Sequence, residues 1–409
     1  MTTDFDRRRL FLALGGALGA GFAGCLGDDD DDGETDPDDH DDHDGHGTDD
    51  TGDDTGDDPD DATGSDGLAY AFLPDSIVVF DPESGDVEAE RAISPGNRNW
   101  GDVRLTPDRE TLLAVDGSLD QVAIVDANSR DVREWVDVGA GPVHAFLPTP
   151  TELWAHADDE GTFYVVDVDE GSVTDTVEAS RTGEGHGKLV HHDDFDPDVW
   201  ATNVTDPAAI RIDTEESEVT EYVELADVGG THYVDYCSEN GLLYVEVQGE
   251  HTAVLDPETG DEVDRLDAVG GLATSPDGDV LGIWTDDAVT FYDATSEDSP
   301  ELSSASIDDG GPDGIEFVTV EERLLAFVPT VDGLSIVDVA AGAVTASLSA
   351  GAFDDDAPFA SRHVDSGDGM VFLTADVDGT VAVIDPADES ITHEVSVGEG
   401  VERVKYVPT

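Results

Sequence analysis

The chain has 409 residues, of which 99 are Asp or Glu and 17 are Lys or Arg, and its formal net charge is -82. So many surface carboxylates repel one another at ordinary ionic strength, but in molar salt the Debye length falls to about 3 Å and this repulsion is screened. The composition therefore excludes nucleic acid as a ligand and indicates a surface adapted to extreme salt.

The first 24 residues have the pattern of an export signal. The run R-R-L-F-L that begins at Arg8 matches the twin-arginine pattern, and an apolar stretch follows it as far as Ala23. This stretch is shorter than a typical transmembrane helix. It ends in A-G-C, the kind of site at which lipoproteins are cleaved and modified. We expect residues 1–24 to be a twin-arginine lipoprotein signal peptide, with Cys25 lipidated and the mature chain anchored to the outer face of the cytoplasmic membrane.

Residues 25–66 consist mainly of Asp, Gly, Thr and Pro. A segment with so few apolar residues cannot bury enough surface to offset the entropy of ordering, so we predict a disordered acidic tether. His40, His43 and His46 lie among its carboxylates, a composition that suits loose and exchangeable metal capture. The alternative is that these histidines are incidental members of an acidic tether.

From Gly67 onward the chain repeats. A short β-rich run that ends in aspartate recurs at intervals of 37 to 47 residues, and the final aspartates are Asp81, Asp126, Asp167, Asp213, Asp256, Asp293, Asp338 and Asp385. This period matches a four-stranded propeller blade. We predict an all-β protein in which residues 67–409 form a single β-propeller. Eight blades are favoured, and seven would result if the short unit around Asp293 is not a blade.

The two ends of the repeat region complement each other. The first unit lacks its innermost strand and begins directly with Leu68, whereas a surplus strand over Val401–Val407 follows the last unit. This surplus strand would complete the first blade, and a ring closed in this way leaves no open sheet edge.

A glycine-containing turn followed by a histidine and a strand-like run occurs three times, and a looser copy occurs further downstream. The innermost strand of each blade lines the central channel, and each of these histidines lies where the chain enters such a strand. We therefore expect all four to surround one mouth of the channel: His144, His186, His232 and His363. By their positions in the blades, His156 and His251 should lie at the same face.

Four imidazoles at equivalent positions predict a metal site. Zinc binds imidazole at about 2.0–2.1 Å and commonly has three or four protein ligands. Asp235 and Asp365 closely follow two of the histidines and could act as ligands or orient the rings. Copper also accepts imidazole, but two Cys and two Met give little support to a dedicated copper site. Since channel mouths are often polar, the competing interpretation is that these histidines bind no metal.

Catalytic motifs are absent from the sequence. It contains no P-loop, no G-x-S-x-G, no H-E-x-x-H and no C-x-x-C-H. Paired acids carry no information in so acidic a chain. The sequence therefore gives no indication of an enzyme.

The phrases V-A-V-I-D-P and S-P-D-G resemble those of extracytoplasmic YVTN-type propellers. Together with the export signal, the histidines of the tether and the histidines of the inner strands, they make the chain similar to the AztD-type zinc metallochaperones of bacteria. This resemblance implies that the propeller binds zinc and passes it to the solute-binding protein of an ABC transporter. We expect the protein to be a monomer. The lipid anchor and the acidity depart from that pattern. The alternatives are a metal-free scaffold for protein interaction and an oxidoreductase that uses the channel.

Overall fold

The computed structural model describes residues 67–308, 311–352 and 362–408. The predicted signal peptide, the lipidation of Cys25 and the tether histidines His40, His43 and His46 lie outside these residues. Within them, no helix is both long enough and apolar enough to cross a lipid bilayer.

The described residues form eight four-stranded antiparallel sheets, which are the blades of a propeller. The strand bounds, from the innermost strand of each blade outward, are as follows. Blade one contains β32 (Arg403–Val407), β1 (Leu68–Phe72), β2 (Ser76–Phe80) and β3 (Val87–Ala92). Blade two contains β4 (Trp100–Leu105), β5 (Thr111–Asp116), β6 (Gln121–Asp126) and β7 (Asp131–Asp137). Blade three contains β8 (Pro142–Thr149), β9 (Glu152–Ala157), β10 (Thr162–Asp167) and β11 (Ser172–Glu178). Blade four contains β12 (Leu189–Val190), β13 (Asp198–Asn203), β14 (Asp206–Asp213) and β15 (Glu218–Glu224).

The second half of the ring has the same order. Blade five contains β16 (Thr231–Cys237), β17 (Leu242–Val247), β18 (His251–Leu255) and β19 (Glu262–Leu266). Blade six contains β20 (Gly271–Thr274), β21 (Val280–Trp284), β22 (Ala288–Asp293) and β23 (Glu301–Ser306). Blade seven contains β24 (Glu316–Val320), β25 (Arg323–Thr330), β26 (Gly333–Asp338) and β27 (Ala343–Leu348). Blade eight contains β28 (Val364–Gly367), β29 (Met370–Ala375), β30 (Thr380–Asp385) and β31 (Ser390–Ser396).

The prediction of an eight-bladed, all-β propeller is confirmed. The short unit around Asp293 is a complete blade, blade six. The recurring aspartates have a local reason, which is visible at Asp126: its Oδ1 accepts hydrogen bonds from the backbone N–H of Asn128 at 3.0 Å and of Ser129 at 2.7 Å. A short acceptor that closes the turn after the third strand is what an aspartate offers. The repeat seen in the sequence is therefore a turn signal, repeated once per blade.

The core lies between the blades. Middle strands such as β5 are buried along their whole length, whereas outermost strands such as β7 alternate between exposed and half-buried residues. Middle strands are sandwiched between neighbouring sheets, so they consist almost entirely of apolar residues, while the outermost strands face solvent. Trp100, Trp154 and Trp200 are fully buried in these layers. This rigid packing holds the innermost strands around the channel.

The predicted ring closure is also confirmed. Strand β32, called the closing strand below, pairs with β1 in antiparallel register from Leu68↔Val407 to Phe72↔Arg403. It is also joined to blade eight: Asp365 accepts hydrogen bonds from the Lys405 ammonium at 2.6 Å and from the Tyr406 N–H at 2.7 Å. The first and last blades are thus connected through side chains as well as through the sheet.

The direction of the strands defines two faces. Each innermost strand begins at the face where the connections between blades arrive, and this face is called the mouth. The closing strand also begins there and ends at Val407, which pairs with Leu68. Leu68, at the start of β1, therefore lies at the face opposite the mouth.

Candidate metal centre at the channel mouth

Three of the four predicted histidines meet at the mouth. His144 lies in β8, His186 lies three residues before β12, and His232 lies in β16, so they come from three neighbouring blades. The Nε2 atoms of His144 and His186 are 2.9 Å apart. The ring centroids of His186 and His232 are 4.9 Å apart. His144 and His232 are buried, whereas His186 is half-buried and forms the outer edge of the group.

Glycines next to these histidines are required by close packing. A Cβ at Gly187 would lie 2.4 Å from the carbonyl oxygen of Thr202 and 3.1 Å from the Nε2 of His156. A Cβ at Gly230 would lie 1.9 Å from the carbonyl oxygen of Val204. No side chain fits at either position, so the combination of glycine and histidine in the sequence has a steric cause.

Two carboxylates that the sequence did not single out orient the rings. The Nδ1 of His144 is 3.2 Å from Asp102 Oδ2, and the Nδ1 of His186 is 2.6 Å from Asp158 Oδ2. The other oxygen of Asp158 lies 2.8 Å from the Nδ1 of His156, two residues earlier in the chain. A carboxylate at Nδ1 holds the proton on that nitrogen and leaves the Nε2 lone pair for a metal, the arrangement usual behind metal-binding histidines.

Asp102 and Asp158 decide which ring nitrogens of His144 and His186 carry protons. Burial alone would raise the pKa of Asp158, but His186 and His156 hold it well below its ordinary value. Burial would likewise raise the pKa of Asp102, and Arg104 and His144 hold it well below. Both carboxylates are therefore ionised and accept the Nδ1 protons. The two Nε2 lone pairs then face each other at 2.9 Å, a contact that needs a proton or a metal ion between them.

The carboxylate nearest to His232 is further away than those beside His144 and His186. Its Nδ1 is 3.7 Å from Glu246 Oε2, which is too long for a hydrogen bond. Its Nε2 and this oxygen are buried and have no hydrogen-bond partner among the described residues. Burial raises the pKa of Glu246 to about 7. Buried polar atoms without partners are uncommon, so this pair marks a place where a ligand can be accommodated.

Buried imidazoles at the mouth are neutral. Burial, and after it the charge of Lys188, lowers the pKa of His144 to about 3. Burial, together with His186 and Lys188, holds the pKa of His232 well below its ordinary value. Neutral imidazole is the metal-binding form, so both rings are ready to act as ligands at neutral pH.

The remaining predicted histidines have different surroundings. The Nδ1 of His363 accepts a hydrogen bond from the Val404 N–H at 3.3 Å, and the charges of Arg403 and Lys405 act on its ring. His251 lies 3.4 Å from Glu262 on the outer side of blade five. His156 keeps its Nε2 buried and without a hydrogen-bond partner among the described residues. The contacts of His363 and His251 do not include the group formed by His144, His186 and His232.

Asp235 and Asp365, the other predicted ligands, join neighbouring blades. Asp235 accepts hydrogen bonds from the Tyr236 N–H and from the Thr274 N–H of blade six, both at 2.9 Å. Asp365 is engaged by Lys405 and Tyr406, as described above. Burial raises the pKa of Asp235 to about 6. In this structure both carboxylates have other partners.

The group formed by His144, His186 and His232 can be compared with the geometry that zinc needs. Among the described residues, no three His, Cys, Asp or Glu side chains are arranged to hold a metal ion. Two nitrogens bound to one tetrahedral zinc would be roughly 3.3 Å apart, given bonds of about 2.0–2.1 Å. The 2.9 Å pair is close to that separation, and the His232 ring lies directly beside it. The three imidazoles therefore suit zinc by ligand type, and their rings would have to move to bind one ion together.

A cation also lies at this site. Lys188, two residues after His186, is buried, and its Nζ is 5.4 Å from the ring centroid of Tyr233. Burial lowers the pKa of Lys188 to about 8. The sequence held one signal for it, since Lys188 and Lys405 are the two lysines of the whole chain. Asp102, Asp158 and Glu246 had no such signal among 99 acidic residues.

The comparisons place the chain among known folds. No family model matches the sequence, and no curated protein matches it. Apo AztD from Citrobacter koseri is similar in structure, with a TM-score of 0.63 at 16% identity over 84% of this chain and 98% of that one. A second structure of Citrobacter koseri AztD gives the same TM-score at 15% identity and the same coverage of both chains. The dihydro-heme d1 dehydrogenase NirN has a TM-score of 0.64 at 11% identity, over 85% of this chain and 76% of that one.

At these identities the similarity shows the fold. The chain is an eight-bladed propeller similar to AztD, and the resemblance noted in the sequence is confirmed at that level.

Proposed function

We propose that the protein is a zinc carrier that acts outside the cytoplasm. Zinc would be its cargo, held at the mouth by the Nε2 atoms of His144, His186 and His232. The observation that carries this proposal is the facing pair of Nε2 atoms, each on a ring whose Nδ1 is held by a carboxylate. The similarity in fold to AztD supports it, and the resemblance implies delivery to the solute-binding protein of an ABC importer.

The chain's own residues would perform distinct steps in this carrier. Asp102 and Asp158 hold the His144 and His186 rings so that both present a lone pair to the channel. His186 is half-buried, so cargo would reach it first and then the buried His144 and His232. The tether histidines His40, His43 and His46 would collect zinc loosely and raise its concentration near the mouth.

A zinc titration of the purified full-length protein tests the proposal. Measured in high salt by competition with a chelator, it should show one tight zinc per chain. The matched control replaces His191 and His192, which lie on the opposite face near the 3-10 turn Asp193–Phe195, by Ala and should leave tight binding unchanged. Absence of tight zinc from the wild-type protein would contradict the proposal and favour the scaffold.

The proposed membrane anchor has its own test. Cys25 should be lipidated, so Cys25→Ser should move the protein from the membrane fraction to the soluble fraction of fractionated cells. The matched control is Cys237→Ser, because Cys237, the other of the two cysteines, is a buried free thiol and should have no part in anchoring. Retention of Cys25→Ser in the membrane fraction would argue against a lipid anchor.

A further inference from the structure

Both lysines of this chain lie on the wall of the channel. The protein has 99 acidic residues, and its only lysines are Lys188 and Lys405. Lys188 is 8% exposed and immediately precedes β12, the innermost strand of blade four. Lys405 lies in the closing strand, the innermost strand of blade one. A composition that avoids lysine elsewhere but keeps it at two channel positions indicates a role inside the channel.

Each of these cations acts on channel carboxylates. The acidic groups whose charges act on Lys188 include Asp102, Asp158 and Asp235. Asp102 also binds the Arg104 guanidinium, with 2.8 Å between Nη2 and Oδ2. Lys405 binds Asp365 at 2.6 Å. The two carboxylates that hold the His144 and His186 rings are therefore compensated by positive charges, Asp102 by Arg104 and both Asp102 and Asp158 by Lys188.

This compensation bears on which metal ions the mouth can hold. Mg²⁺ and Ca²⁺ prefer several oxygen ligands, and carboxylates are the strongest of these. Asp102 and Asp158 would otherwise supply such oxygens, and the acidic surface attracts divalent cations of every kind. A neighbouring ammonium repels all divalent ions, but imidazole nitrogens favour zinc and offer little to Mg²⁺ or Ca²⁺. The ammonium repels all divalent ions equally. Only ions that bind imidazole nitrogen strongly, such as zinc, can therefore still bind at the mouth.

We propose that Lys188 is a specificity-determining residue of the proposed zinc site, and that Arg104 assists it, by keeping Mg²⁺ and Ca²⁺ out of the channel mouth. This inference rests on the proposed function for its zinc part. Its consequence for Mg²⁺ and Ca²⁺ concerns the carboxylates and the cations alone and can be measured without zinc.

The test compares full-length wild type with Lys188→Met, which keeps the length of the side chain and removes its charge. Zinc affinity is measured by chelator competition with and without excess MgCl₂ or CaCl₂, at constant ionic strength. In wild type these salts should leave the affinity unchanged. In Lys188→Met they should weaken it by about tenfold or more, because the uncompensated carboxylates now bind the competing ion.

A matched control removes a positive charge elsewhere. Arg265 lies in the outer strand β19, and its side chain is 54% exposed, so Arg265→Met changes the net charge equally and should behave like wild type. If Lys188→Met does not fold, Arg104→Gln takes its place, because it removes the other cation beside Asp102. This variant should likewise make zinc affinity sensitive to Mg²⁺ and Ca²⁺. Zinc affinity in the folded variant that is as insensitive to Mg²⁺ and Ca²⁺ as that of wild type would overturn the inference.

Direct calorimetric titration with CaCl₂ separates this inference from the proposed function. Both proteins should bind Ca²⁺ weakly at the acidic surface, and Lys188→Met should bind one further Ca²⁺ at the mouth, whatever either protein does with zinc. If wild type fails to bind zinc, the carrier proposal is contradicted and the effect of Lys188 on Ca²⁺ binding is not. If wild type and Lys188→Met bind Ca²⁺ equally, the specificity role of Lys188 is contradicted and the carrier proposal is not.

Discussion

Deletion of residues 400–409 should remove most of the stability of the propeller. The closing strand buries Val404, Tyr406 and Val407 almost completely. Each such side chain contributes about 1.5–3 kcal/mol when buried, so three contribute roughly 5–9 kcal/mol, as an upper estimate. The total stability of a protein is typically about 5–15 kcal/mol. The truncated protein should therefore unfold at a far lower temperature or fail to fold.

Polar contacts add to this loss. Without the closing strand, Asp365 loses both Lys405 and the Tyr406 N–H, and the Trp100 N–H loses the Glu402 carboxylate that accepts it at 2.5 Å. The deletion would also expose the edge of β1, which is a site for aggregation.

The measurement is thermal and denaturant unfolding in high salt, together with size-exclusion chromatography. The control deletes only residues 408 and 409, which follow the closing strand, and should unfold like the full chain. Unchanged unfolding after deletion of residues 400–409 would show that the seam between blades one and eight does not depend on this strand.

Replacing His144 and His232 together by Ala should abolish tight zinc binding while the propeller stays folded. Structural zinc sites in peptides bind with about 10–16 kcal/mol, so the loss of two ligands should weaken zinc binding on the order of a thousandfold or more. The two substitutions leave cavities at a channel wall, which should cost about 1–3 kcal/mol each. Chelator competition gives the affinity, and thermal unfolding shows that the fold persists.

The pH dependence of zinc binding should reflect the burial of its histidine ligands. An exposed imidazole has a pKa of about 6.5 and binds protons in competition with zinc below that pH. Burial lowers the pKa of His144 to about 3 and that of His232 well below its ordinary value. A depressed pKa moves proton competition to lower pH, so tight binding should persist below pH 6.5 and fall only in more acidic solution. Loose binding at the tether histidines, whose surroundings are polar, should fall near pH 6.5.

Two outcomes would count against this site. Equal tight affinity in wild type and in the His144→Ala/His232→Ala variant would place zinc elsewhere. A contribution of His144 and His232 to tight binding that is lost near pH 6.5 would indicate that these two rings are not the buried ligands described above. Removal of residues 28–61 should abolish only the loose site and slow the transfer of zinc to an acceptor.

The fold was predictable because its signals are local. The aspartate that closes each third-strand turn marks one blade, and it does so whatever its neighbours are, as Asp126 illustrates. The mouth was predictable for a related reason, since a histidine next to a tightly packed glycine has a fixed place at the start of an innermost strand. His144, His186 and His232 therefore lie where the pattern put them.

The partners of these histidines were not predictable. Asp102 reaches His144 from the preceding blade, and Asp158 reaches His186 from a turn in blade three. Such contacts depend on the spacing between blades and on side-chain rotamers. Nothing in the sequence distinguishes one of these carboxylates among 99 acidic residues. The surroundings of His363 are set by the closing strand, which is 40 residues away in sequence at Arg403. The packing of the blades against one another therefore determines which imidazoles are in contact.

The position of Leu68 determines the face from which the predicted tether leaves the propeller. Leu68 pairs with Val407 at the face opposite the mouth. A chain held at Cys25 would therefore be attached at the face opposite the mouth, and the attachment itself would not cover the opening of the channel. The 20 residues between His46 and Gly67 span at most about 70 Å, enough to pass around a propeller whose strands are roughly 20 Å long. Lipid attachment would thus leave the opening accessible to incoming ions and to an acceptor.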